Sequence, residues 1–137
     1  MKLLLDTNVV LDVMLDRKPH VVASAKVVAA AETGGIEASL CATTITTIHY
    51  LATKALGAKV SAREIGRLLE IFRIAPVTEV VLKAALQTKT PDYEDAVLFE
   101  AARAAGMDGI VTRNAEDFPK TKLPIYLPVD IMVLLGM

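Results

Sequence analysis

The chain has 137 residues and a net charge of −1; 53% of it is hydrophobic, 4% is aromatic, and there is no Trp. That length suits one domain, 1–137, with a core of Val, Leu, Ile and Ala, a palette that fits helices packed on a buried sheet. The lone Cys41 excludes an internal disulfide framework and, with no apolar run long enough to span a bilayer and Asp6 cutting short the N-terminal one, the expectation is a cytoplasmic protein without membrane contact.

Residues 2–5, Lys-Leu-Leu-Leu, predict a short buried strand. Asp6-Thr7-Asn8 breaks it, and Val9, Val10, Val13 and Met14 continue at helical spacing until Pro19. A second helix, rich in Ala and Val, is expected over 20–33 and stops at Gly34-Gly35. Residues 36–41 read as a second strand. The stretch 43–56 is rich in Thr and Ile, which suits either element, but its length and the closing Gly57 favour helix. Ser61 with Glu64 has the pattern of a capping box, followed by an apolar stripe of Ile65, Leu68, Leu69 and Phe72. A short strand at 73–75 and helices over 78–87 and 91–105 come next, the last with Thr90 as N-cap, Pro91 in its first turn and Gly106 at its end. Residues 109–112 are a third clear strand, 114–118 a loop or short helical turn, and 125–127 a small strand before a final apolar helix.

Strands alternating with helices imply parallel pairing, and so an α/β, three-layer αβα sandwich with a central parallel sheet. Ligands of such sheets collect beyond the carboxyl ends of the strands. That rule selects Asp6, and Thr112, Asn114 and Asp117 after the 109–112 strand.

Asp6 alone reads equally as a helix cap or as part of a cation site. In Asp92-Tyr93-Glu94-Asp95-Ala96, at about 100° per residue, Asp92 and Asp95 share a face with Ala96 and Phe99, and Glu94 is expected to point nearly the opposite way. The positive end of the helix dipole would by itself account for Asp92. Two carboxylates on a partly buried face are costly unless a cation compensates. With Asp117 and the oxygen of Asn114, these positions suit Mg²⁺ or Mn²⁺, which activates water and offsets charge on a phosphoryl group. One Cys and two distant His do not make zinc spacing. A phosphate-gripping surface would need local basic patches: Arg17 and Lys18, then Lys59, Arg63 and Arg67, then Arg113, Lys120 and Lys122, each of which also reads as ordinary solvated surface.

Three segments together resemble the PIN-domain family: Leu3-Leu4-Leu5-Asp6-Thr7-Asn8-Val9-Val10-Leu11-Asp12, Asp92-Tyr93-Glu94-Asp95-Ala96, and Ile110-Val111-Thr112-Arg113-Asn114-Ala115-Glu116-Asp117-Phe118. Their order and separation match as well, so the resemblance covers nearly the whole chain. It implies an αβα fold and a Mg²⁺- or Mn²⁺-dependent endoribonuclease, and for a small member a VapC-like toxin, homodimeric and paired with an antitoxin protein. Carried over by residue, Asp6 corresponds to the first family carboxylate and Asp95 to the one on the later helix, with Asn114 or Asp117 in the region of the last. The usual second acid, a Glu on the helix after strand two, is missing. That region reads Thr43-Thr44-Ile45-Thr46-Thr47-Ile48-His49-Tyr50, with His49 at or beside the expected place, as a ligand, a phosphate contact or an ordinary helix histidine. Asp92 is the candidate to supply the missing carboxylate, as in a subgroup of the family.

On this reading Asp6, Asp92, Asp95 and Asp117 hold the metal and are catalytic. Asn8, Thr112, Asn114, Arg113 and His49 contact ligands or RNA, with Arg113 as a phosphate clamp. The alternative is a catalytically weak or inactive PIN-fold module that binds RNA or a protein partner, for which the missing Glu is the support. A haloacid-dehalogenase-type phosphatase also places Asp after strand one but needs a second acid two residues on, where Asn8 stands.

Overall fold

The computed structural model describes residues 1–137. Its central strand, β1 (Lys2–Leu5), carries three leucines that are fully buried, as a strand covered on both faces requires. The chain continues through α1 (Thr7–Met14), α2 (Val21–Glu32), β2 (Glu37–Cys41), α3 (Ala42–Leu56), α4 (Ala58–Ile71), β3 (Arg73–Ala75), α5 (Glu79–Ala85), α6 (Tyr93–Ala104), β4 (Gly109–Val111), β5 (Ile125–Tyr126) and α7 (Pro128–Leu134). All four strand pairings are parallel, in the order β3-β2-β1-β4-β5. No helix is long and apolar enough to cross a membrane.

Side chains alternate across β1 and so divide the core in two. Leu3 and Leu5 pack with Val9, Val27, Ile48, Leu68 and Ile131, which places α1–α4 and α7 on one face. Leu4 packs with Val81, Ala85, Phe99 and Ile110, which places α5 and α6 on the other. The result is the expected three-layer αβα sandwich. Gly109 is required where β4 meets β5: a Cβ there would lie 2.7 Å from the Tyr126 ring and 3.0 Å from the Pro124 carbonyl.

Several local expectations need correction. Ser61 is not an N-cap; α4 begins at Ala58 behind Gly57, whose φ of 87° lets the chain break sharply from α3. Ser61 is instead buried within α4, donating to the His49 carbonyl at 3.2 Å and accepting from Thr53 Oγ1 at 3.0 Å, so it fastens α4 to α3. Leu69 is half exposed and outside the apolar stripe, and Phe72 is buried but already extended beyond the helix end. Thr90 is not the cap of α6. Asp92 holds that place, and Thr90 Oγ1 donates to the Asp92 carbonyl at 2.7 Å.

Candidate metal centre at the carboxyl edge of the sheet

The chain leaves β1 to one side through β2 and β3 and returns on the other side as β4, so the strand order reverses between β1 and β4. In parallel sheets that reversal opens a crevice at the carboxyl ends. The register pairs Leu5 with Val111, and the Asp6 amide donates to the Val111 carbonyl at 2.8 Å. Asp6 and Thr112 therefore emerge side by side at the mouth of the crevice.

Asp6 is both a helix cap and a member of the site. Its Oδ1 accepts from the Thr7 amide at 2.7 Å, and its Oδ2 accepts from Thr112 Oγ1 at 2.8 Å and from Asn8 Nδ2 at 3.4 Å. Burial pushes its pKa up; the bonds from Thr112 and Thr7 oppose this, the Glu94 charge adds to it and Arg113 reduces it. Thr112 is fully buried, and its hydroxyl also accepts from the Asn114 amide at 3.0 Å. Asn8 accepts from the Arg113 amide at 3.3 Å. Thr112 and Asn8 thus position Asp6 and the loop after β4. Asn114 starts a single 3-10 turn, Ala115–Asp117, and its carbonyl accepts from the Asp117 amide at 3.0 Å. The buried ring of Phe118 anchors this turn in the second half of the core.

Across the crevice, Asp92 caps α6, its Oδ1 accepting from the amides of Glu94 at 2.7 Å and Asp95 at 3.2 Å. Asp95 stands in the first turn, and its carboxyl is pushed up to about 7, first by burial and then by the charges of Asp6, Asp92, Asp117 and Glu94. Four carboxylates besides its own, from three segments, are therefore close enough for their charges to act on Asp95.

Glu94 corrects the helical-wheel expectation. It does not turn away, because its Oε1 accepts from Thr47 Oγ1 on α3 at 3.0 Å and its charge acts on both Asp6 and Asp95. The wheel compared faces of one helix, whereas the crevice is bounded by α3, α6 and the strand ends, and neighbouring residues of the first turn border it from two sides. The position on α3 that faces the acids is Thr47, two residues before His49. At about 100° per residue His49 lies on the far side of that helix; it is exposed, and the structure does not bring it to the acids. Arg113, whose charge also reaches Asp6, is engaged within the chain. Its Nε and Nη2 donate to the two oxygens of fully buried Asp12 at 2.7 and 3.1 Å, and Ser24 Oγ adds a third bond to Asp12 at 3.1 Å.

As the side chains stand, no three His, Cys, Asp or Glu groups converge tightly enough to hold an ion. The residues themselves fit a hard divalent cation: every donor is an oxygen, and the Asp95 carboxyl, pushed up first by burial, also feels the charges of Asp6, Asp92, Asp117 and Glu94. Asp6, Asp95, Asp117 and Glu94 would hold the ion, with Asp92 beside them.

A stability consequence follows. Unfolded, Asp95 ionises near 3.8; folded, near 7, so its raised pKa favours the fold at low pH and that contribution is lost as pH rises from about 4 to about 7. For this partly buried group the loss is on the order of 1 kcal/mol after solvent screening, or about 4 °C in Tm. Thermal melts in EDTA at pH 5 and pH 8 should show it in the wild type and not in Asp95→Asn; equal slopes in the two proteins would contradict the assignment.

The family model for the PIN domain matches residues 2–116. The chain belongs to the PIN-domain family. No curated protein sequence matches the chain. Among solved structures it is similar to a toxin–antitoxin complex from Klebsiella pneumoniae, at 18% identity and TM-score 0.69, covering 91% of this chain and 96% of that one. It is similar also to FitAcB from Neisseria gonorrhoeae, at 21% identity and TM-score 0.71, covering 93% and 98%. A third is VapC20 of Mycobacterium tuberculosis, a sarcin–ricin loop cleaving toxin, at 14% identity and TM-score 0.64, covering 79% and 86%. At these identities the likeness carries the fold.

Proposed function

We propose that this PIN-domain protein is a Mg²⁺- or Mn²⁺-dependent endoribonuclease that hydrolyses phosphodiester bonds, acting as the toxin of a toxin–antitoxin pair. The observation that carries the reading is that Asp6 and the Asp117 turn, which follow the ends of β1 and β4, and Glu94 and Asp95, in the first turn of α6, border the crevice that the strand order creates, near enough for their charges to act on Asp95. The bound ion supplies Lewis-acid activation of water and neutralises charge on the phosphoryl group. The chain's own residues do the rest. Thr112 and Asn8 hold Asp6 in place, the Asn114 turn presents Asp117, and Thr47 steers Glu94. Asn114, exposed at the rim, is available to the RNA backbone.

A protein partner fits the same reading. An open apolar groove of about 330 Å³, lined by Val10, Val13, Met14, Val28, Leu56 and Ile71, is the feature that an antitoxin segment would cover. A homodimer belongs to the proposal as well. The competing reading, a binding module without catalysis, draws on the absence of an acid on the α3 face, where Thr47 stands. In favour of catalysis, Glu94 of α6 accepts from Thr47 and so brings a carboxylate beside that place.

The test is cleavage of a structured RNA with Mn²⁺, with EDTA and with Asp95→Asn. Cleavage should stop in EDTA and fall at least about 100-fold in the variant, since even the outer partners of a metal site cost 10–100-fold. Equal cleavage in all three conditions would sink the enzyme reading.

A further inference from the structure

A second cleft, about 420 Å³, lies between the chain joining α5 to α6 and the loop that follows Asp117. Lys89, Arg103 and Lys122 line it, with one acid, Glu100. Glu100 is largely buried and both its oxygens are used: Oε2 accepts from Thr88 Oγ1 at 2.7 Å and Oε1 from Arg103 Nη1 at 2.9 Å. It acts as a strut that holds Arg103 and Thr88 at the wall, and it offsets one of the three cations. Lys89 and Lys122 form no ion pair within the chain. In a chain of net charge −1, this is a local excess of positive charge in a concave wall.

Its place in the fold matters more than its charge. Phe99, at its floor, is one helical turn beyond Asp95, and Arg103 is two turns beyond. The far wall, Pro119–Lys122, continues directly from Asp117. The cleft therefore begins roughly 6 Å along α6 from the acid centre and extends to roughly 12 Å, a span that the flanking nucleotides of one strand cover.

We propose that this cleft is a phosphate subsite for the RNA strand flanking the scissile bond, an assignment that rests on the ribonuclease reading above. Lys89 and Lys122 contact phosphate oxygens, with Arg103 fixed between them by Glu100. Such contacts act on affinity through counterion release and carry no base preference.

The probe is a fluorescein-labelled, mixed-sequence 12-nucleotide single-stranded RNA, followed by anisotropy in EDTA across a salt series. The double variant Lys89→Gln/Lys122→Gln should bind about 10-fold more weakly, and its log–log salt slope should shrink by about 1.4, at about 0.7 per lost single-strand phosphate contact. A control pair on α2 and β3, Lys26→Gln/Arg73→Gln, should match the wild type. Mn²⁺ affinity by calorimetry and Tm should be the same in all three, because the substituted side chains are exposed and outside the acid centre. An unchanged affinity and slope in the cleft variant, in a protein that still cleaves RNA, would overturn the subsite alone. A wild type that neither binds nor cleaves the RNA would overturn the subsite together with the ribonuclease reading.

Discussion

Replacing Asp6 by Asn should lower Mn²⁺ affinity and RNA cleavage at least about 100-fold while leaving the fold intact. The two effects separate because Asp6 has two roles. As a cap, its Oδ1 accepts from the Thr7 amide, and an Asn carbonyl oxygen does the same about equally well. As a charge, it sits in a buried place that pushes its pKa up, so removing the charge relieves the metal-free protein. The Asp6→Asn protein should therefore melt in EDTA at or above the wild-type temperature, yet gain nothing from added Mn²⁺, whereas the wild type gains stability by mass action. Equal Mn²⁺ affinity by calorimetry would remove Asp6 from the centre. A drop in Tm of several degrees in EDTA would instead show that the charged Asp6 oxygen, held by Thr112 and Asn8, stabilises the metal-free fold.

The largest stability effect is expected at Arg113. Asp12 is fully buried and held by both arms of the Arg113 guanidinium and by Ser24. Arg113→Met leaves that carboxylate buried without a counter-charge, which costs about 3–5 kcal/mol. At about 4 °C per kcal/mol for a chain of this size, Tm falls by roughly 12–20 °C. The double variant Asp12→Leu/Arg113→Met should recover most of the loss, because an apolar pair can replace a buried ion pair at little cost. Urea unfolding of the two variants measures both numbers. A single-variant loss below about 1 kcal/mol would show that Arg113 is free to serve as the phosphate clamp suggested by its position in the sequence.

Much of the architecture was legible because it rests on short-range patterns. Leu3-Leu4-Leu5 and Gly109-Ile110-Val111 are continuous apolar segments between helical periods, as in strands covered on both faces, and the 36–41 run has Ile36, Ala38 and Leu40 at alternate positions. The placement of Asp6 and the Thr112–Asp117 segment at one sheet edge was legible because each follows a strand end directly. Glu94 and Thr47 were not: their meeting depends on how α3 and α6 approach each other, which no periodicity within either helix encodes. Asp92 and Thr90 were misplaced for a related reason, since a cap is set by one residue's side-chain bond rather than by a pattern. The Asp12–Arg113 pair left a signal that could have been used. A charge inside Val9-Val10-Leu11-Asp12-Val13 stands on a buried stretch of helix and calls for a cation brought from elsewhere in the chain.

The central claim is that the carboxylates of β1, α6 and the loop after β4 share one divalent ion. Anomalous diffraction from crystals grown with Mn²⁺ tests it most directly. A manganese peak within about 2.5 Å of oxygens from Asp6 and Asp95, with Asp117 or Glu94 in the same shell, is the expected result. Well-ordered density for these side chains at saturating Mn²⁺, with no anomalous peak between them, would contradict it.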